Sequence, residues 1–80
     1  MNISEAVVRR ILELCRQEEL TVNALCNISG VTQSTVSDIV NGTTYNPGIS
    51  TIKKLCDGLE IDVREFFDSP LFAGLDQEIK

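Results

Sequence analysis

GVTQSTVSDIVNG, residues 30–42, is the stretch whose reading decides the fold. Gly30 can take a left-handed backbone at low cost, as a helix stop requires. Thr32 can accept from an orphan backbone N–H and so begin a new helix. Val36, Ile39 and Val40 then recur at helical spacing, and Asn41-Gly42 closes the run. The stretch therefore predicts a tight turn followed by a short helix over about 32–41. Its inward stripe is Val36, Ile39 and Val40. Its outward face carries Gln33, Ser34, Ser37 and Asp38, which are small or polar and include no base.

The same punctuation recurs along the chain. Four times an apolar residue precedes a capping residue, and a second apolar residue stands four positions after the cap, as in a hydrophobic staple. The sets are Ile3/Ser4/Val8, Leu20/Thr21/Leu25, Val31/Thr32/Val36 and Ile61/Asp62/Phe66. Glu65 stands three residues after Asp62, an acidic variant of the capping box. This predicts an all-α domain of short helices. Helix 1 is expected from about Ser4 to Glu18, with Val7, Ile11, Leu14 and Cys15 on one stripe. Helix 2 is expected from about Thr21 to Ser29, with Leu25, Cys26 and Ile28 inward. Helix 4 begins near 48–50 and turns Ile49, Ile52, Leu55, Cys56 and Leu59 inward. Helix 5 covers about Asp62 to Asp68, packing through Val63, Phe66 and Phe67, and Pro70 bars its simple continuation. TTYNPG, residues 43–48, is a polar loop. The expected division is a domain over 1–69 and a C-terminal tail over 70–80.

Composition narrows the class. The 80 residues are 42% hydrophobic, with no Trp and no His. One small domain with an aliphatic core is the natural count. No apolar run approaches the roughly 20 residues that span a bilayer, and no secretory signal opens the chain. A cytoplasmic protein without a membrane partner is expected. Cys15, Cys26 and Cys56 are odd in number and widely spaced, without CxxC or His. They read as buried apolar residues in a reducing compartment, not as a disulfide framework or a metal site. No cofactor is expected. The net charge of −5 argues against a polyanionic partner when taken alone. Its distribution does not. Residues 1–56 balance Arg9, Arg10, Arg16, Lys53 and Lys54 against Glu5, Glu13, Glu18, Glu19 and Asp38. The whole deficit lies in 57–80, so one face can meet DNA while the acidic end turns away.

Helix 2, the turn at Gly30-Val31 and helix 3 meet the requirements of a helix-turn-helix. The turn is short and contains Gly. Cys26 supplies a small residue where the helices meet. The outward side of helix 3 is free of bulk, so it can enter a groove about 12 Å wide. The run from Ile11 to Phe67 resembles the phage lambda repressor and Cro type of helix-turn-helix domain, the XRE family. The matching pieces are TVNALCNISGVTQSTVSDIVNG and NPGISTIKKLCDGLEIDVREFF. The resemblance implies a five-helix lambda-repressor-like bundle that binds operator DNA, usually as a dimer.

It also implies site residues. By position, base reading falls on Gln33, Ser34 and Asp38, with Ser37 beside them. The Gln33 amide can pair bidentately with adenine N6 and N7. Without the surrounding motif, Gln33 and Ser34 would be an ordinary solvated first turn. Phosphate contacts are expected from Thr32, Asn41, Thr43, Thr44, Tyr45 and Asn46, with Lys53 and Lys54 as the nearest cations. The alternative is that TTYNPG merely connects two helices. Two positions depart from the family. Val22 stands where many relatives hold Gln, and Asp38 where many hold Arg, Lys, Gln or Asn. Asp38 can bond locally, accept from cytosine N4, or repel phosphate.

Two functions compete. The first is a sequence-specific DNA-binding transcriptional regulator, a homodimer on a two-fold operator. The second is a protein-interaction module of the same fold, whose partner is another regulator or a toxin. An enzyme is not expected: there is no His, no Cys/His pair and no glycine-rich phosphate loop. Phe67, Leu71, Phe72 and Leu75 either form a dimer surface or fold back on the bundle.

Overall fold

The computed structural model describes residues 1–41 and 46–79, without the side chains of Val36 and Ile39. The described residues form five α-helices and one 3-10 turn and contain no strand. The helices are α1 (Ile3–Gln17), α2 (Val22–Ser29), α3 (Gln33–Val40), α4 (Ile49–Leu59) and α5 (Val63–Phe67), followed by the 3-10 turn Pro70–Phe72. α1, α2, α3 and α5 lie within two residues of their expected spans, and α4 starts where expected.

Three of the four expected caps are in place. Thr21 Oγ1 accepts from the Ala24 N–H at 3.0 Å, Thr32 Oγ1 from Thr35 at 3.3 Å, and Asp62 Oδ1 from Glu65 at 2.7 Å. The fourth is corrected. Asn2, not Ser4, caps α1, accepting from the Glu5 N–H at 2.8 Å. An Asn amide oxygen caps as well as a Ser hydroxyl, so the helix starts earlier and releases Ser4.

The helix stops share a construction too. The Leu20 N–H donates to Cys15 O, the Val31 N–H to Cys26 O, and the Ile61 N–H to Cys56 O, at 2.8, 3.3 and 3.0 Å. The residue before each donor is left-handed: Glu19 at φ 55°, Gly30 at φ 67° and Glu60 at φ 58°. These are Schellman stops, in which the residue five positions past the cysteine is apolar and can pack back on the helix. A capping residue follows each one (Thr21, Thr32 and Asp62), so stop, staple and start occupy seven residues.

Among the described residues one cluster forms the core. α1 contributes Val7, Ile11, Leu14 and Cys15; α2 contributes Leu25; α4 contributes Ile52, Leu55, Cys56 and Leu59; α5 contributes Phe66. The three cysteines are free and buried, as expected. Burial pushes all three thiols above their ordinary value, with Cys26 adding to the effect at Cys15 and Asp57 at Cys56. Two expected core positions are corrected. Ile28 is 56% exposed and Ile49 is 67% exposed. The α2 stripe runs through Val22, Leu25, Cys26 and Ser29, and Ile28 falls at its edge. Ile49 opens α4, one turn before the buried stripe begins at Ile52.

The tail folds back. Ser69 Oγ caps the 3-10 turn, which packs against α1. The Phe72 ring meets Phe67 with centroids 4.9 Å apart and Phe66 at 6.3 Å. The Asp76 N–H then donates to Met1 O at 3.0 Å. Phe67 and Phe72 are therefore packed on the core, and Leu71 and Leu75 are half-buried.

Arg10 is the residue whose place was not foreseen. It is only 7% exposed, although the charge count treats it as a surface cation. Its Nε donates to Phe66 O at 2.6 Å and its Nη2 to Glu65 O at 2.8 Å, while Nη1 pairs with Glu13. The planar guanidinium thus binds the last carbonyls of α5 and fastens that helix to α1.

Candidate nucleic-acid interface

The site is built on α2, the turn 30–32 and α3. α2 is seated by Leu25 and Cys26, both buried, and it packs against α4, α3 and α1. Its C-terminal turn lies close on α4. A Cβ placed on Gly58 would come 2.1 Å from Ser29 Oγ and 3.2 Å from Ser29 Cβ. Any Cβ there would force Ser29 to shift, and glycine avoids the conflict. Ser29 Oγ is itself buried there without a hydrogen-bond partner. Sequence reasoning missed this joint, since Gly58 interrupts a good helical pattern and gives no sign of what it meets.

Gly30 then turns the chain with φ 67° and ψ 24°, and the Val31 side chain packs against the core. These two residues aim α3. Thr32 is exposed, but its hydroxyl is engaged by the Thr35 N–H and lies 2.7 Å from Thr35 Oγ1. Gln33 and Ser34 follow, both exposed on the first turn. Ser37 is half-buried, and Asp38 is exposed and interacts with a neighbour. Val40 is half-buried, and the Asn41 N–H closes the last turn on Ser37 O at 2.8 Å. The expected inward positions Val36 and Ile39 lie outside the described side chains. No described side chain of α3 is fully buried, so its polar face and N-terminal end are open to approach.

The phosphate candidates divide. Asn41 and Asn46 are exposed, while Thr43, Thr44 and Tyr45 lie outside the described residues. The Asn46 side chain accepts at Oδ1 from Ser4 Oγ, 42 residues away on α1. Lys53 and Lys54 are both exposed, one turn inside α4. Lys53 Nζ is paired with Asp57 on the same helix. That hydrogen bond raises the Lys53 pKa, against a smaller opposing effect of desolvation. Val22 begins α2 and packs against the core, so its side chain cannot supply a phosphate contact. Of the five cations in 1–56, Arg10 is thus buried and Lys53 is partnered, leaving Arg9, Arg16 and Lys54 exposed. Among the described residues no group of three or more His, Cys, Asp or Glu could hold a metal ion, and no helix is long and apolar enough to cross a membrane.

Comparison with known proteins agrees with this geometry. Residues 10–70 match the model of the Cro/C1-type HTH DNA-binding domain. The chain is 34% identical over 64 residues to the HTH-type transcriptional regulator SlrR of Bacillus subtilis (strain 168), covering 79% of this chain and 42% of that protein. It is 42% identical over 53 residues to the uncharacterized HTH-type transcriptional regulator RghRB of the same strain, covering 66% of this chain and 38% of that protein. The chain therefore spans about two fifths of the length of these two relatives. Among solved structures, prophage Lp1 protein 11 superposes with a TM-score of 0.79 at 39% identity, over 88% of this chain and 93% of that one.

Proposed function

This chain belongs to the Cro/C1-type helix-turn-helix DNA-binding domain family, and from that premise we propose that it is a sequence-specific transcriptional regulator acting on duplex DNA. The observation that carries the reading is the presentation of α3. Gln33 and Ser34 stand exposed at the N-terminal end of a helix that a left-handed Gly30 and a packed Val31 aim outward. A helix so placed enters the major groove with its first turn against the base edges.

Gln33 reads adenine through its amide, and Ser34, Ser37 and Asp38 line the same face. Thr32, Asn41, Asn46, Lys53 and Lys54 contact phosphate, together with Thr43, Thr44 and Tyr45. Because the Thr32 hydroxyl already caps α3, Thr32 meets phosphate through its backbone N–H. Two copies bind a two-fold operator with half-sites about 34 Å apart. The chain works in the cytoplasm and performs no catalysis. With few free cations per subunit, few counterions are released, so the salt dependence is shallow and affinity depends on pairing two subunits.

Selection of bound sites from a random duplex library tests this. Two-fold motifs should be enriched, and Gln33→Ala should relax one position in each half-site, at a discrimination of about 1–3 kcal/mol. An unchanged motif in that variant would overturn the role of Gln33.

The burial of Arg10 and the pairing of Lys53 favour a second reading, a protein-interaction module of the same fold. Titration with random duplex at low salt separates the two. Absence of binding at tens of micromolar, against the roughly 1–100 μM of ordinary non-specific complexes, would favour the protein partner.

A further inference from the structure

Ser4 sits in the first turn of α1 and has no capping duty, because Asn2 performs it. Its hydroxyl instead reaches Asn46, at the entrance to α4. We propose that Ser4 is a positioning residue for DNA binding: by donating to Asn46 Oδ1 it turns the Asn46 amide nitrogen outward, as a donor to a DNA phosphate. The proposal rests on the DNA-binding reading above.

The chemistry is that of the carboxamide. Its oxygen accepts and its nitrogen carries two N–H donors. A donor held against the oxygen fixes which end faces the protein, and the end left over is the one that suits an anion. The Asn46 backbone is restricted as well, since it precedes Pro47, which disfavours the helical region. Backbone and side chain are thus both held at a residue that remains exposed. A serine suits this task because it is short and stands on a helix that belongs to the core. Asn46 unheld would sample both orientations of its amide, and one of them offers oxygen to phosphate.

The test is a double-mutant cycle read by fluorescence anisotropy on a duplex selected by the wild-type protein, with thermal melts confirming that each variant is folded. Ser4→Ala should raise Kd by about fivefold, the cost of one modest hydrogen bond. The loss should be similar on selected and random duplex, since a phosphate contact carries no sequence information. Ser4→Thr, which keeps the hydroxyl, should bind as wild type. Asn46→Ala should lose at least as much, and the double variant should be no weaker than Asn46→Ala alone. Asn46→Asp keeps the bond to Ser4 but replaces the outward donor with a carboxylate oxygen, and should lose more than Asn46→Ala. Ser4→Ala binding as wild type, or losing as much in the Asn46→Ala background as in the native one, would overturn the proposal while leaving the DNA-binding reading intact. A wild-type protein that binds no duplex would overturn both.

Discussion

α4 and α3 are neighbours in sequence and differ in the side chains they present. α4 buries Ile52, Leu55, Cys56 and Leu59 in the main cluster, whereas α3 presents Gln33, Ser34 and Asp38 exposed. α4 is part of the scaffold with α1 and α5. α3 is positioned by a cap, a left-handed glycine and its packing against α2. The division separates two kinds of constraint. A scaffold residue is limited by what surrounds it, and an α3 surface residue by what it will meet. On the reading proposed above, the exposed residues Gln33, Ser34 and Asp38 of α3 meet the duplex, and they can be changed at small cost to the fold.

The comparison can be broken most strongly at Arg10. Arg10→Ala removes two hydrogen bonds to the last carbonyls of α5 and leaves a buried gap. The expected loss is about 3 kcal/mol, or a melting temperature lower by roughly 12 °C or more. A melt within a few degrees of wild type would show that α5 is held by Phe66 and its rings alone.

The joint between scaffold and reader comes next. Gly58→Ala sets a Cβ against Ser29 and should cost about 1–2 kcal/mol net, overpacking being partly offset by the better helix propensity of alanine. Ser29→Ala alone removes an unpartnered buried hydroxyl and should be neutral or slightly stabilising. In the double variant most of the Gly58→Ala loss should return. A loss that Ser29→Ala does not relieve would place the conflict elsewhere, and a harmless Gly58→Ala would mean that α2 is not seated closely on α4. Denaturant melts of the four proteins decide.

The smallest effect belongs to the α4 surface. Lys53 and Asp57 are both well exposed, and such pairs add little to stability. Asp57→Asn should leave the melting temperature essentially unchanged. It should release Lys53 and tighten binding to any duplex by a few-fold, steepening the salt dependence, because one more cation becomes free to displace counterions. A melt lowered as far as that of Gly58→Ala would make the pair part of the scaffold and blur the distinction between the two regions.

The legible parts of this fold share a property. Thr21, Thr32 and Asp62 were visible as caps because a cap bonds to a backbone N–H three residues away. Gly30 was visible as a stop because glycine is the usual residue in a left-handed turn. Glu19 and Glu60 take the same conformation and went unseen, since a Cβ makes it costly by roughly 1 kcal/mol. The Schellman bonds and their apolar residues hold them there all the same. Ile28 and Ile49 misled for a related reason: periodicity marks an apolar stripe but not how far the neighbouring helices extend to cover it.

From its residues alone this chain determined an all-α bundle, a helix-turn-helix at about 21–41 and a small polar face on its second helix. Periodicity, caps and left-handed stops act over about five residues, so they are written in consecutive letters. Tertiary structure decided which polar groups are available. Arg10 is taken by α5, 55 and 56 residues away, and the side-chain oxygen of Asn46 is taken by Ser4, 42 residues away. Pairings at such separations depend on where whole helices come to rest, and helix packing is set by the shape of the joint core, which no local pattern of letters encodes.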